Sequence, residues 1–91
     1  MTNLNKLYTL YDVHSHKRAK VKDLLKNHLP SGYSKKVEKK LLDEGVIVPL
    51  QSIRQVKFGT FKNAVIFNAI LEVAIENKKA KVKLQKTLEN I

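Results

Sequence analysis

Apolar side chains dominate residues 63–77 more strongly than any other part of the chain. Ten of the twelve positions from Ala64 to Ile75 are apolar, and the two polar ones, Asn68 and Glu72, lie four residues apart. On a helix these two share one narrow strip, so the rest of the circumference is apolar. The pattern predicts a helix covered on several sides, which is either the central helix of the domain or part of a dimer interface.

Two short amphipathic helices are predicted before it. Residues 17–29 place lysines opposite an apolar face, and Pro30-Ser31-Gly32 ends that helix. For the next helix, Ser34 is the expected N-cap and Glu38 lies near the acidic position of a capping box, while Gly45 ends it. The apolar face of the first helix consists of Ala19, Val21, Leu24, Leu25 and Leu29, and that of the second of Val37, Leu41 and Leu42.

A third short helix is predicted for residues 49–58. Pro49 suits the first position of this helix, because a backbone N–H there would have no hydrogen-bond partner within the helix. Gly59 ends the helix. Helical spacing turns one set of side chains toward the core, namely Leu50, Ile53 and Val56. The same spacing leaves a polar set facing outward, namely Gln51, Arg54, Gln55 and Lys57.

The two ends of the chain carry weaker patterns. Residues 4–11 fit a short helix through Leu4, Leu7, Tyr8 and Tyr11, and an extended arm fits nearly as well. The tail follows helical spacing through Leu84, Leu88 and Ile91. We therefore expect an all-α fold, a compact bundle of four to five short helices. Its expected parts are an arm or short helix over residues 1–16, a core domain over 17–79 and a basic helix or tail over 80–91.

The charge of the chain is strongly positive and lies in two blocks. Eighteen Lys and Arg residues oppose eight Asp and Glu residues, for a formal net charge of +10. Residues 17–40 carry a net charge of +7 and residues 78–91 a net charge of +4, whereas residues 41–77 carry −1. Such blocks suit a polyanion, either a nucleic acid or an anionic membrane surface. A solvated lysine-rich surface without a partner is the alternative.

The chain lacks the residues that disulfides, metal sites and the common catalytic motifs require. The chain has no cysteine, which removes disulfides and thiolate metal sites, and His14, His16 and His28 have no further ligand to complete a tetrahedral site. Paired catalytic carboxylates, a nucleophile elbow and a phosphate-binding glycine loop are missing too. We expect no enzyme activity, metal, cofactor or small-molecule substrate. No secretory signal or membrane span is expected, and the predicted location is the cytoplasm.

One motif in residues 34–63 resembles a known family. Ile53-x-x-Val56-x-x-Gly59, followed by Asn63, resembles the end of the recognition helix in lambda-repressor/Cro-like helix-turn-helix proteins. In that family the two apolar residues seat the recognition helix and the glycine turns the chain into an apolar helix, here AVIFNAILEVAI. The stretch KDLLKNHLPSGYSKKVEKKLL is similar to the first two helices of small phage and mobile-element regulators. The resemblance covers about residues 19–77, with an expanded turn between Gly45 and Ile53.

The resemblance implies a set of DNA-contacting residues. The base-reading positions of the recognition helix, about residues 49–58, would be Gln51, Ser52, Arg54 and Gln55, which can reach base edges in the major groove. Phosphate contacts would come from Lys57, Thr60, Lys62 and Asn63. A backbone clamp at the start of the preceding helix would be formed by Lys35, Lys36 and Lys39.

The implied function is a sequence-specific DNA-binding transcriptional regulator. Its partner would be double-stranded DNA, bound as a homodimer through the apolar helix 63–77 or the tail 80–91. A different possibility is a protein-binding module or inhibitor from a mobile element, which turns its basic face against a host nucleic-acid enzyme. RNA binding is disfavoured because aromatic residues are few. Membrane binding is disfavoured because the core needs the apolar face of residues 17–29.

Overall fold

The computed structural model describes residues 3–91, and these residues form five α-helices without a β-strand. The helices are α1 (Leu4–Leu10), α2 (Ser15–Asp23), α3 (Tyr33–Asp43), α4 (Leu50–Phe58) and α5 (Ala64–Glu89), and α2 continues into a π-helical turn over Leu24–His28. The predicted all-α fold is confirmed. The expectation that every helix would be short is wrong for α5, which has 26 residues.

Helix α5 is the centre of the molecule. It packs against α3, α4 and the π-helical turn, and Tyr11 stacks on Phe67 with 4.1 Å between ring centroids. Most of the apolar side chains between residues 64 and 75 are buried by this packing, and among the large ones in that range only Val65 and Ile75 are exposed. The buried members of α5 are Ile66, Phe67, Ala69, Ile70, Val73 and Ala74.

Residues 4–11 adopt the helical alternative and belong to the core. Leu7 and Tyr8 are buried, and the Asn3 side chain accepts a hydrogen bond from the Lys6 N–H at the start of α1. The Tyr8 hydroxyl donates to the Arg18 carbonyl oxygen, which ties α1 to α2. The first sixteen residues therefore form no separate arm where the structure describes them.

Two helix starts differ from those predicted. Helix α3 begins at Tyr33, since Gly32 takes the N-cap position with a left-handed φ of 74°, and Ser34 is buried inside the first turn. Ser34 therefore is not the cap. Helix α4 begins at Leu50, and Pro49 occupies its N-cap in an extended conformation with ψ of 151°. The predicted recognition helix is thus one residue too long at its start.

The predicted apolar faces are correct at most positions and wrong at two. Val37 and Leu41, four residues apart on α3, are fully buried, whereas Leu42 is 56% exposed. A step of one residue turns a helix by about 100°, so Leu42 cannot share the side that Leu41 buries. Ala19 on α2 is also exposed, while Val21 and Leu25 are buried.

Polar contacts fix α5 to its neighbours on two sides. On one side, the Lys40 ammonium lies 2.8 Å from Glu76 and 3.2 Å from Glu72. On the other side, Lys78 lies 3.0 Å from Asp23, Lys81 donates to the Asn27 carbonyl oxygen, and Asn77 donates to that of His28. These last two contacts satisfy carbonyl groups that the end of the π-helical turn leaves open.

The predicted boundary at residue 80 is not a break in the chain. Helix α5 runs through it without interruption, but residues 78–91 are all exposed. The last part of α5 therefore extends beyond the other helices, as the principal dimensions of 45 × 32 × 21 Å reflect.

Candidate nucleic-acid interface

Helix α4 is held by one buried side and presents the other to solvent. Ile53 and Val56 have no exposed surface, as the spacing predicted. Gln51, Arg54 and Gln55 are exposed, and Ser52 is half-buried at the border of the two sides. The structure therefore brings three of the four predicted base-reading side chains onto one outward face.

The sequence analysis missed Phe58, which lies on that same face. Positions 51, 54, 55 and 58 follow the spacing i, i+3, i+4 and i+7, which places them on one side of a helix. The Phe58 ring is 40% exposed. The signal that could have found it is the same helical spacing that selected Gln51 and Arg54.

Tyr33 joins the start of α3 to α4. The Lys57 ammonium lies 5.0 Å from the centroid of the Tyr33 ring, within the range of a cation–π contact. Burial raises the pKa of the Tyr33 hydroxyl, and the positive charge of Arg54 opposes this rise. Arg54 and Lys57 are thus gathered around one half-buried ring beside the N-terminus of α3.

Gly59 lets the chain leave α4 directly into the loop that precedes α5. Its φ of 85° is left-handed, and a Cβ there would lie 3.7 Å from the Leu7 side chain. The Tyr11 hydroxyl accepts a hydrogen bond of 2.9 Å from the Asn63 N–H, which fastens the far end of this loop. Lys62, a predicted phosphate contact, is exposed on the loop.

Two of the predicted phosphate contacts, Thr60 and Asn63, make hydrogen bonds to backbone groups near the loop. The Thr60 hydroxyl donates to the Gln55 carbonyl oxygen at 3.2 Å, so its hydrogen does not point to solvent. The Asn63 Oδ1 accepts from the Ile66 N–H at 3.1 Å and caps α5. These two hydrogen bonds are typical, because short polar side chains at loop ends prefer nearby backbone groups. Thr60 and Asn63 therefore act in the structure of the loop.

The three lysines of the predicted backbone clamp do not share one side of α3. Lys35, Lys36 and Lys39 are all exposed, but Lys36 and Lys39 line a groove of about 450 Å³ between α3 and α5. Lys35 lies about 100° around the helix from Lys36 and does not line the groove. The next lysine, Lys40, is held by Glu72 and Glu76, which raise its pKa.

A metal site and a membrane span were both sought in the part of the chain that the structure describes. Within residues 3–91, no three His, Asp or Glu side chains approach closely enough to hold a metal ion. The same residues contain no helix with the length and apolar character that crossing a membrane requires. The rings of His14 and His16 are stacked with 5.6 Å between their centroids, whereas His28 contacts Asp23.

A comparison with protein families, characterised proteins and solved structures finds no match for this chain. Its function must therefore be inferred from the geometry of the site.

Proposed function

We propose that this protein is a sequence-specific DNA-binding regulator of transcription that inserts α4 into the major groove. The outward face of α4 carries the proposal. Arg can form two hydrogen bonds with guanine and Gln two with adenine, so Arg54, Gln51 and Gln55 supply the chemistry that distinguishes bases. Phe58 adds an apolar group suited to the methyl of thymine.

The arrangement of α3 and α4 supports a helix-turn-helix with an expanded turn. The two helices pack on each other and are joined by residues 44–49. At the start of this turn, the Gly45 N–H donates to Leu42 and the Val46 N–H to Leu41, and Gly45 has a left-handed φ of 82°. This pair of hydrogen bonds is the Schellman motif, which ends α3 sharply.

Phosphate contacts are assigned to the lysines that border the outward face of α4. Lys57 lies beside Tyr33 on α4, Lys62 lies on the loop that follows, and Lys35 lies on the first turn of α3. Lys35 and Lys62 are exposed, and Lys57 is half-buried. Their ammonium groups act as point charges, which bind phosphate without reading sequence. The net charge of +10 strengthens binding to any DNA.

We propose that two copies bind one DNA site. A single α4 reads too few base pairs for useful discrimination in a genome, and a two-fold pair would read two half-sites about 34 Å apart. Dimers of this kind bind palindromic sequences.

Selection from a random duplex pool, followed by sequencing, tests the proposed function. The expected result is a palindromic consensus that the protein binds at least ~10³-fold more tightly than scrambled DNA. Recovery of no consensus, with equal binding of all duplexes, would contradict it.

A protein-binding module or inhibitor is the second candidate. It is favoured by exposed apolar side chains near both ends of α4, since such groups are enriched where proteins meet. They are Leu42, Ile47, Phe58 and Phe61. If selection yields no consensus, the basic face with these apolar groups is the surface with which to search for a protein partner.

A further inference from the structure

The exposed end of α5 repeats the buried pattern of its first part. Leu84, Leu88 and Ile91 follow Ile66, Ile70 and Val73 at a distance of 18 residues. Eighteen residues are five full helical turns, so Leu84 and Leu88 lie on the same side of α5 as Ile66 and Ile70, and Ile91 continues this spacing just beyond the end of the helix at Glu89. The first set is buried against the other helices, whereas the second is 55%, 52% and 93% exposed. We call the second set, together with Ala80, the α5 stripe.

The lysines of this segment lie on the opposite side of the helix. Lys79, Lys83 and Lys86 are all about 100° or more away from the middle of the stripe, as helical spacing dictates. Val82, which is 48% exposed, lies among these lysines. Lys81 borders the stripe, but its ammonium donates to the Asn27 carbonyl oxygen at 2.9 Å. A second copy can therefore cover the stripe without bringing the lysine rows of the two copies together.

The groove between α3 and α5 opens at the base of the stripe. Its apolar floor is formed by Pro30, Val73 and Ala80, and Ala80 belongs to both the groove and the stripe. Lys36 and Lys39 line the groove and make no ion pair among residues 3–91. Asp43 and the Lys40–Glu76 ion pair also line the groove, so three lysines against two carboxylates leave it a net positive charge beside its apolar floor.

We infer that a second copy of this chain covers the α5 stripe, with the two α5 helices antiparallel. In this register Leu84 packs against the partner's Leu88, and the small Ala80 leaves room for the partner's Ile91. The C-terminal end of the partner's helix then reaches the groove. A helix C-terminus carries partial negative charge, which Lys36 and Lys39 stabilise. This contact is remote from α4 and needs no DNA, so it goes beyond the proposed function.

The contact area predicts a reversible dimer. One face of a 14-residue segment buries less than the ~800 Å² per partner that is usual for specific complexes. We therefore expect a monomer–dimer equilibrium in solution, strengthened when both copies occupy one DNA site.

Sedimentation without DNA tests the contact through a matched pair of variants. Leu88→Glu and Val82→Glu each lower the net charge by one at positions of similar exposure, 52% and 48%, which lie about 120° apart around α5. The unaltered protein should dimerise, Leu88→Glu should raise the dissociation constant at least about tenfold, and Val82→Glu should change it less than about twofold. Both side chains lie outside the core, so thermal melts of dilute samples should show both variants folded. A protein that stays monomeric up to ~1 mM, or equal weakening by both variants, would overturn the inference.

Cross-linking tests the orientation, because the chain contains no cysteine of its own. Antiparallel pairing brings residue 84 close to the partner's residue 88, whereas equal residues stay apart along the axis. A mixture of Leu84→Cys and Leu88→Cys proteins should therefore form a mixed disulfide faster than either variant links to itself. Faster linking of each variant to itself would indicate parallel helices and overturn the antiparallel arrangement. Neither measurement includes DNA, so each can fail while the proposed function stands.

Discussion

Ile53 and Arg54 are neighbours in the chain but belong to opposite sides of α4. Ile53 has no exposed surface, and Arg54 extends into solvent beside Tyr33. At this scale single steps of about 100° around one helix separate the residues that stabilise the fold from those proposed to recognise DNA.

Replacing Ile53 by Ala should destabilise the fold by roughly 2–5 kcal/mol, because it leaves a cavity where a complete side chain is buried. Arg54→Ala serves as the matched control, and its melting temperature should stay within about 1 °C of the unaltered protein. Thermal and denaturant unfolding of both variants provide the measurement. Similar losses in the two variants would mean that α4 is seated differently.

Phe58 provides a second test at the residue scale. If its ring contacts a thymine methyl, replacing that thymine by uracil in the selected site should weaken binding about fourfold. This factor corresponds to the loss of about 0.8 kcal/mol for one buried methyl group. The Phe58→Ala variant should bind both duplexes equally. The replacement is made at each thymine in turn and followed by fluorescence anisotropy. If no thymine shows this dependence on Phe58, the ring does not read a base.

At the scale of elements, helical spacing predicts which segments are helices, and packing decides where they begin and how far they extend. The helices over 33–43 and 50–58 and the apolar start of α5 follow from spacing alone. The start of α3 could not be predicted from spacing. It is set by Gly32, whose left-handed conformation at the N-cap depends on the folded structure around it. Leu42 also could not be placed, since its exposure depends on which side of α3 meets α5.

The candidate interface was predictable to a similar extent. Spacing located the outward side chains of α4, because a helix with two buried residues three apart leaves few choices for the rest. It could not locate Tyr33 beside Arg54 and Lys57, since that contact joins two helices. Nor could it show that Thr60 and Asn63 bond to the backbone, because loop conformation decides those contacts.

The contact between α2 and α5 predicts a dependence of stability on pH. Hydrogen bonds from Asn27 and Lys78 lower the pKa of Asp23 to about 2 from 3.8. A lowered carboxylate pKa stabilises the fold above the unfolded value and loses this effect as the pH falls to the folded value. Asp23→Asn should therefore lower the melting temperature at pH 7, and the difference from the unaltered protein should shrink between pH 4 and pH 2.

Thermal melts of Asp23→Asn and of the control Asp43→Asn at several pH values check the predicted pH dependence of the melting temperature. Asp43 is exposed and makes no ion pair among residues 3–91. A difference for Asp23→Asn that persists unchanged below pH 2 would show that the effect does not come from its charge.

At the scale of the whole molecule, the proposed DNA binding should depend strongly on charge. If six or more phosphates are neutralised, affinity should fall on the order of 10³-fold or more between 50 and 200 mM salt, because condensed counterions are released on binding. Titrations of one duplex at several salt concentrations measure the slope. A nearly flat plot of log affinity against log salt would exclude a binding surface built on the lysine blocks.

Charge alone does not make a regulator, and the central claim is that α4 reads bases. The most direct measurement is a competition assay of Arg54→Ala on the selected duplex and on a scrambled duplex of the same length. Loss of a bidentate contact to one base should cost roughly 1–3 kcal/mol on the selected duplex and relax preference at one base pair. Lys62→Ala, a phosphate contact in the proposal, should weaken both duplexes about equally. If Arg54→Ala also weakens both by the same factor, α4 does not read sequence, and the central claim is wrong.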